Sequence, residues 1–223
     1  MRSMSGLPRT VEASLALAGL ALCAPVMAAA AIAIRATSPG PAIFVQERVG
    51  KGGRTFKMFK FRSMSTGGSG PQVTARGDRR ITPVGKLLRK SKVDELPELW
   101  NVVRGDMSLV GPRPEVPTYV DQSDRLWQRV LEARPGLTDP VTLRLRNEEE
   151  LLATAPMESS RYYREKLLPF KLSGYIDYLE KRTWRSDVEV LFRTAAAVVL
   201  PSRAPLPTLE EVEAISLRAR ALA

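Results

Sequence analysis

The longest apolar stretch of the chain comprises residues 13–34, which are 22 consecutive uncharged residues, mostly Ala, Leu, Ile and Val. A helix of that length is about 33 Å long and just spans the hydrocarbon core of a bilayer. Pro25 lies near its middle and leaves the carbonyl of Ala21 without a helical donor, so we expect a kink or a break there. Each half alone is too short to cross a membrane.

Basic residues flank this segment on both sides, with Arg2 and Arg9 before it and Arg35 after it. The positive-inside rule therefore favours a cytoplasmic location for both ends, as in a re-entrant hairpin broken at Pro25. Taken alone, the segment fits a straight single-pass anchor about equally well. A cleaved signal peptide ranks third, because the apolar run exceeds the usual length of about 7–15 residues.

The next segment has the pattern of a β-hairpin. Residues 43–45 and 55–59 are rich in β-branched and aromatic side chains, and a glycine turn at residues 50–53 separates them. A Pro-containing break precedes the hairpin at residues 37–41, and the Gly-rich residues 67–71 predict a loop.

The remaining patterns are mainly helical. Thr82 and Pro83 are typical of an N-cap and a first helical position, which predicts a helix through about Arg89. Ser91 or Asp94 is predicted to cap the next helix, residues 96–103, which Gly105 ends. The later predicted helices are residues 120–133, 151–168 and 187–200, and one opened by a capping box of Thr208 and Glu211. The patterns predict a mainly α fold with a small β-hairpin, in the α+β class.

The net charge of +10 is concentrated in one part of the chain. Residues 35–115 contain 16 basic and 7 acidic side chains, whereas the rest is close to balanced. This excess predicts an anionic partner. Nucleic acid, anionic lipid headgroups and phosphorylated small molecules all meet that requirement.

Two features of the composition limit the chemistry. The chain contains no His, and Cys23 is its one cysteine. The usual general base near neutral pH, intrachain disulfides and Cys-based zinc sites are therefore excluded. We expect any metal to be a hard, oxygen-bound ion such as Mg²⁺.

Two adjacent carboxylates, Asp94 and Glu95, follow three basic residues at a predicted helix start. A helix N-terminus stabilises carboxylates and attracts phosphate, so an ionised Asp94 can act there as a nucleophile toward phosphorus. Together the two carboxylates can hold Mg²⁺ against a diphosphate. The simpler alternative is that Asp94 caps a helix and Glu95 favours its dipole, and the pattern alone favours this alternative.

Candidate phosphate ligands lie on both sides of this pair. Arg113 belongs to a stiff turn, residues 111–114, which suits bidentate phosphate recognition. Lys57, Lys60 and Arg62 alternate in the hairpin and either bind phosphate or line a solvated sheet face. The sequence contains no P-loop and no G-x-G-x-x-G pattern after a strand, so nucleotide binding would use another architecture.

Together these segments resemble the bacterial sugar transferase family, monotopic polyprenyl-phosphate phosphoglycosyl transferases that initiate glycan assembly. The resemblance covers about residues 11–200 and is strongest over residues 38–115. Its motifs are residues 38–41, 46–50, 59–64, Asp78, Arg89, 94–97, 99–102 and 104–115.

The resemblance implies a covalent reaction at Asp94. The carboxylate attacks the β-phosphate of a UDP-sugar, UMP leaves, and polyprenyl (undecaprenyl) phosphate then takes the phosphosugar. Glu95 is implied to be the dyad partner and, with Asp94, the Mg²⁺ ligand. The implied phosphate ligands are Lys60, Arg89, Arg113 and, in the second half of the chain, Arg144 or Arg146.

The resulting organisation has three parts. Residues 1–36 are expected to be a re-entrant membrane helix-hairpin, and residues 201–223 a C-terminal amphipathic tail. Residues 37–200 are expected to be a catalytic domain with interfacial amphipathic helices, on the cytoplasmic face of a bacterial inner membrane. The expected partners are a UDP-sugar, polyprenyl phosphate and membrane lipid, without nucleic acid; a homodimer is compatible with the sequence.

The sequence departs from the common family pattern at three places. Ala24 stands where many members have Ser before the hinge proline, and Glu98 stands where D-E-L-P-Q has Gln, adding a negative charge near the phosphate site. Residues 139–146 replace the segment whose family arginine corresponds to Arg144 or Arg146. Two rival functions follow: a catalytically degenerate scaffold, and a membrane-anchored protein that binds anionic lipid or nucleic acid.

Overall fold

The computed structural model describes residues 6–65, 74, 77–199 and 206–222, and it is mainly helical. The helices are α1 (Arg9–Thr37), α2 (Pro83–Ser91), α3 (Glu98–Arg104), α4 (Arg125–Leu131), α5 (Pro140–Arg144), α6 (Glu148–Ala153), α7 (Ser159–Tyr162), α8 (Leu168–Lys181), α9 (Trp184–Val199) and α10 (Leu209–Leu222). The strands are β1 (Ile43–Val49), β2 (Thr55–Phe61), β3 (Ser108–Val110) and β4 (Gly136–Thr138).

The predicted hairpin is confirmed. Strands β1 and β2 pair antiparallel, with Ile43 opposite Phe61 and Val49 opposite Thr55. Gly52 in the connecting turn has a φ of 68°, a left-handed conformation that glycine adopts without a Cβ clash. Strands β3 and β4 form a second, parallel pair. Its strands have three residues each, too few to show a period-2 pattern, so the sequence did not predict it.

One side of α1 packs on the rest of the protein along the length of the helix. Ala16, in its first half, belongs to the core cluster that includes α3 and β3. Ala30 and Ile34, in its second half, pack with Phe61 of β2 and Leu88 of α2. Both ends of α1 therefore contact the same globular unit.

Polar contacts secure the first turn of α1. The Arg9 guanidinium donates to the carbonyls of Val102 and Val103 at the end of α3. The carboxylate of Glu12 is buried and accepts a hydrogen bond from Leu109 N at 3.0 Å. A buried carboxylate needs such a partner, so these contacts fix the N-terminal end of α1 against α3 and β3.

The other side of α1 is apolar and exposed, with Leu15, Leu22, Val26 and Ile32 on it. By length and composition α1 could cross a membrane, since its most apolar 18-residue window has a mean hydropathy of 2.3. A water-soluble surface rarely presents an apolar face of this extent, and α1 is a candidate membrane anchor.

The helical backbone continues through Pro25, so the predicted break at this residue is corrected, whereas the alternative of a kink there stays a prediction. Both Pro25 and Ala21, whose carbonyl loses its donor, are exposed. The proline ring therefore meets no neighbouring element, and the carbonyl of Ala21 is left without its helical donor.

Helix boundaries in the second half differ from the predictions. The predicted helix over residues 151–168 is divided, because α6 ends before Pro156, which cannot donate to a continuing helix. The following helical run extends beyond the prediction, to Lys181. Helix α10 packs on α8, with Val212 and Ala219 buried, so the described part of the C-terminal tail belongs to the globular unit. The predicted loop at residues 67–71 and residues 201–205 lie outside the described residues.

Candidate active site

Asp94 and Glu95 lie in a 3₁₀ turn, Val93–Glu95, between α2 and α3. Helix α2 begins as predicted, with the Thr82 hydroxyl accepting a backbone hydrogen bond at 2.9 Å. It ends at Lys92, whose φ of 60° is in the left-handed region. That conformation is uncommon and strained for a non-glycine residue, and it stops α2 directly before the two carboxylates.

Asp94 is buried, and its side chain caps no helix. Its Oδ1 has no hydrogen-bond partner among the described residues. Pro97 precedes α3, which has no side-chain cap. The simple interpretation of Asp94 as a helix cap is therefore wrong. Ser91, the other predicted cap, instead donates back to Leu87 and Leu88 of α2.

The surroundings of Asp94 favour its neutral form relative to water. Burial raises the pKa of its carboxyl group, and the charge of Glu95 raises it further. The charges of Lys60, Lys92 and Arg89 oppose this shift, and the net direction is upward. When ionised, the group is an anion with little water and few partners, a condition that suits a nucleophile.

Glu95 is held by two cations. The Arg113 guanidinium donates to both carboxylate oxygens, and Lys60 Nζ lies 3.5 Å from Oε1. Burial raises the pKa of Glu95, but the charges of Arg113, Lys60 and Lys92 outweigh it and bring the pKa below its ordinary value. The pKa values of Asp94 and Glu95 thus shift in opposite directions, as is typical of paired carboxylates with different roles.

Lys60 reaches the dyad because α3 is attached to β2. The fully buried side chain of Asn101 accepts a hydrogen bond from Phe59 N at 3.1 Å and donates to the carbonyl of Lys57 at 2.7 Å. The Asn101 amide thus hydrogen-bonds to the backbone of β2 as a neighbouring strand would, and it holds α3 beside Lys60. Of the other two basic hairpin residues, Lys57 is exposed, and Arg62 is buried and donates to carbonyls between α1 and β1.

Glu98, the first residue of α3, is a third carboxylate of the site. It is fully buried, and its Oε1 lies 3.0 Å from Lys60 Nζ. Apart from this ion pair, neither of its oxygens has a hydrogen-bond partner in the described part of the chain. Burial raises the pKa of Glu98; Lys60 opposes the shift, whereas Glu95 adds to it. The sequence indicated a charge near the phosphate site but not its burial.

A buried polar cluster holds the turn that carries Arg113. Glu115 accepts hydrogen bonds from Lys171 Nζ at 2.9 Å and from the Tyr163 hydroxyl. Arg48 of β1 donates to the backbone of the turn at 3.0 Å. Burial raises the pKa of Glu115, but Lys171 and Arg48 lower it overall. Sequence patterns missed this cluster because Tyr163 and Lys171 lie 48 and 56 positions from Glu115.

The other predicted phosphate ligands occupy different places. Arg89 forms an ion pair with Glu149 of α6, and its charge also acts on Asp94. Arg144 pairs with Glu211 of α10. Arg144 and Arg146 both line a cavity of about 380 Å³ whose lining residues include neither member of the dyad. The structure thus brings Lys60 and Arg113 into contact with the dyad, whereas Arg89 acts on Asp94 only through its charge, and no contact of Arg144 or Arg146 with the dyad occurs among the described residues.

The donor set at the dyad fits a hard cation. Asp94 offers an oxygen without a partner, and Glu95 is held as an anion. Mg²⁺ commonly binds one or two carboxylates and completes its shell with phosphate oxygens and water. No group of three or more Asp, Glu or Cys side chains that could hold a metal occurs within the described residues. Asp94 and Glu95 therefore offer two carboxylates that fit the oxygen-ligand preference of Mg²⁺.

The site thus combines a buried carboxylate that has an oxygen without a partner among the described residues with a cation-held neighbour, on a unit that also carries a candidate membrane helix. The family model described as "Bacterial sugar transferase" matches residues 4–201. The chain therefore belongs to the bacterial sugar transferase family.

Two relatives extend this comparison. The chain is 39% identical over 190 residues to the UDP-glucose:undecaprenyl-phosphate glucose-1-phosphate transferase of Caulobacter vibrioides, covering 82% of this chain and 66% of the relative. It is 45% identical over 137 residues to the UDP-N-acetylgalactosamine-undecaprenyl-phosphate N-acetylgalactosaminephosphotransferase of Aeromonas hydrophila, covering 58% of this chain and 32% of the relative. The matches thus span about two thirds and about one third of these curated relatives.

Proposed function

We propose that the protein is a phosphoglycosyl transferase that moves a sugar 1-phosphate from a UDP-sugar to polyprenyl phosphate and releases UMP. The observation that carries the proposal is Asp94, a buried carboxylate beside a cation-held Glu95, with one oxygen that no described residue pairs. The names of the two relatives, which specify a UDP-sugar and undecaprenyl phosphate, support this donor and acceptor. The product would begin exopolysaccharide or O-antigen-type glycan assembly.

The proposed reaction has two displacements at one phosphorus atom. In the first, a carboxylate oxygen of Asp94 bonds to the β-phosphorus of the UDP-sugar. The bond from that phosphorus to the bridging oxygen breaks, and UMP leaves with the electron pair. In the second, an oxygen of polyprenyl phosphate bonds to the phosphorus, and the Asp94 carboxylate is released. Dividing the transfer in this way is the general advantage of nucleophilic catalysis.

Lys60, Arg89 and Arg113 are the proposed phosphate contacts. In the free protein each of them pairs with a carboxylate, so a diphosphate would exchange one anionic partner for another. Because the partners are already charged, the side chains are oriented before substrate binds. The contacts of Arg144 and Arg146 with substrate stay a prediction.

Asp94 and Glu95 are the proposed Mg²⁺ ligands. When bound, Mg²⁺ would neutralise charge on the diphosphate. Arg113 and Lys60 hold Glu95 in place at the site, and burial of Asp94 excludes competing water.

The proposed membrane arrangement is monotopic, with the catalytic unit on the cytoplasmic face. Glu12 and Arg9 attach one end of α1 to the globular unit, and Ile34 packs the other end on it. A spanning helix would have to break one of these sets of contacts. The exposed side of α1 would then face the hydrocarbon, with the exposed Trp100 of α3 and Phe192 of α9 near the interface.

This arrangement predicts that both ends of α1 react from the same side of the membrane. Thr10 and Arg35 are exposed near its two ends, so each is replaced with Cys in a Cys23→Ala background. A membrane-impermeant maleimide should label both variants in inside-out vesicles and neither in intact spheroplasts. Labelling of Thr10→Cys from the periplasmic side would mean that α1 spans the membrane.

The activity itself is tested with purified protein in nanodiscs. The assay supplies Mg²⁺, undecaprenyl phosphate and a panel of UDP-sugars, and it measures UMP release. We expect release with at least one sugar, dependent on the polyprenyl acceptor for multiple turnovers. A folded preparation that releases no UMP across the panel would support the degenerate scaffold instead.

A further inference from the structure

The ammonium group of Lys60 lies between two carboxylates. Its Nζ is 3.5 Å from Glu95 Oε1 and 3.0 Å from Glu98 Oε1. The closer contact is thus with Glu98, which lies outside the dyad. Glu98 is fully buried and Lys60 is partly buried, so water cannot take the place of Lys60 at the Glu98 carboxylate.

Glu98 is costly for the fold unless it has a role at this site. A fully buried carboxylate without hydrogen bonds beyond one ion pair loses much of its hydration. An apolar side chain of similar volume at that position would avoid this cost. Lys60 is the described residue that makes the ion pair with Glu98, so the direct contact between Glu98 and the phosphate-binding residues is made through Lys60.

We propose that Glu98 is a positioning residue that holds Lys60 at the phosphate-binding position. Without an oxygen at residue 98, the ammonium group moves fully onto Glu95, whose oxygens already accept hydrogen bonds from Arg113. Lys60 is then drawn away from the diphosphate, and Glu95 becomes less available to a metal. This inference rests on the proposed function, because it requires Lys60 to contact the substrate.

The requirement at residue 98 is an oxygen acceptor, not a particular charge. The amide oxygen of Gln can accept a hydrogen bond from an ammonium group in the same place, whereas Met fills a similar volume without an acceptor. Glu98→Gln is therefore the conservative control, and Glu98→Met is the disruptive variant.

The test is a double-mutant cycle of Glu98→Met with Lys60→Met, which measures KM for the UDP-sugar, kcat and the calorimetric affinity for UMP. Glu98→Met alone should raise KM about 10- to 100-fold, the range for loss of a hydrogen bond to a charged group, with a smaller change in kcat. Glu98→Gln should raise KM by a much smaller factor, because the amide oxygen can still accept the hydrogen bond from Lys60. In the Lys60→Met background, Glu98→Met should change KM less than about twofold, since the residue it positions is gone.

Effects of Glu98→Met that are equal in the two backgrounds would overturn the inference, because a purely structural role does not depend on Lys60. An unchanged KM in Glu98→Met with wild-type turnover would also overturn it and leave the proposed function intact. A wild-type chain that neither binds UMP nor releases it would overturn both. A melting temperature for each variant separates loss of fold from loss of binding.

Discussion

Replacing Asp94 with Asn is expected to lower the rate of UMP release by about a thousandfold or more. The amide has nearly the same shape as the carboxylate but no negative charge, so it cannot form the bond to phosphorus. Since the Asp94 side chain supports no helix cap and its Oδ1 has no partner in the described part of the chain, the change removes little structural interaction. Rates are measured with wild type and variant in the same nanodiscs.

The matched control for this substitution is Asp121→Asn. Asp121 is an exposed carboxylate that accepts hydrogen bonds from Ser123 and contacts no residue of the dyad. The control should retain the wild-type rate within about twofold. A folded Asp94→Asn protein that releases UMP at the wild-type rate would show that another group carries the reaction.

Replacing Glu115 with Gln is expected to lower the free energy of unfolding by about 3 kcal/mol, because it removes the closer and more buried of the two carboxylates beside the buried Lys171 ammonium. The same substitution removes the charge opposite Arg48. Trp127, which is buried in the core cluster that includes Tyr163, provides a fluorescence signal for unfolding.

The control is Glu148→Gln, the same chemical change at the other carboxylate near Lys171. Glu148 lies 3.5 Å from Lys171 Nζ and is more exposed, so its loss should cost less than about 1 kcal/mol. Equal destabilisation by the two variants would show that the buried pairing of Glu115 is not the source of the stability.

The Glu115 contribution also has a defined pH dependence. Its pKa in the fold lies below the ordinary value of 4.5, so the stabilisation is present above about pH 4.5 and is lost as the pH falls through the lower, folded-state pKa. The difference in unfolding free energy between wild type and Glu115→Gln should shrink over that acidic range.

Sequence patterns correctly predicted the β-hairpin and the helix ends that are determined by residues close together in the chain. The β-hairpin follows from β-branched and aromatic runs around a glycine turn, and its pairing from Ile43–Phe61 to Val49–Thr55 confirms it. Helix α2 starts at the predicted Thr82 cap, and α3 ends at Gly105, whose φ is 90°. Each of these signals depends on residues within a few positions of one another.

The role of Asp94 in the dyad could not be predicted from the neighbouring residues in the sequence alone. A cap and a nucleophile share the same sequence features at a helix start, so the residues alone favoured the cap for Asp94. The structure excludes the cap, because the carboxylate is buried, caps no helix and has an oxygen without a partner among the described residues, and the role of nucleophile stays a prediction. Lys60 and Arg113 meet at Glu95 from 35 and 18 positions away, a convergence that no single-segment pattern contains.

Long-range packing explains the remaining differences. Pro25 was expected to break α1, but the proline is on the exposed side of a helix that packs along its length on one unit. Likewise, the burial of Glu98 depends on how α3 lies against β2, which Asn101 determines through backbone hydrogen bonds. Arg144 pairs with Glu211, which comes from another helix.

The most direct test of the covalent mechanism is intact-protein and peptide mass spectrometry after incubation with Mg²⁺ and the active UDP-sugar, without polyprenyl phosphate. We expect an adduct with the mass of one phosphosugar on the peptide containing Asp94. It should be absent from Asp94→Asn and discharged when undecaprenyl phosphate is added. An active protein that forms no adduct under rapid acid quench, or that forms it on another residue, would contradict the assignment of Asp94 as the nucleophile.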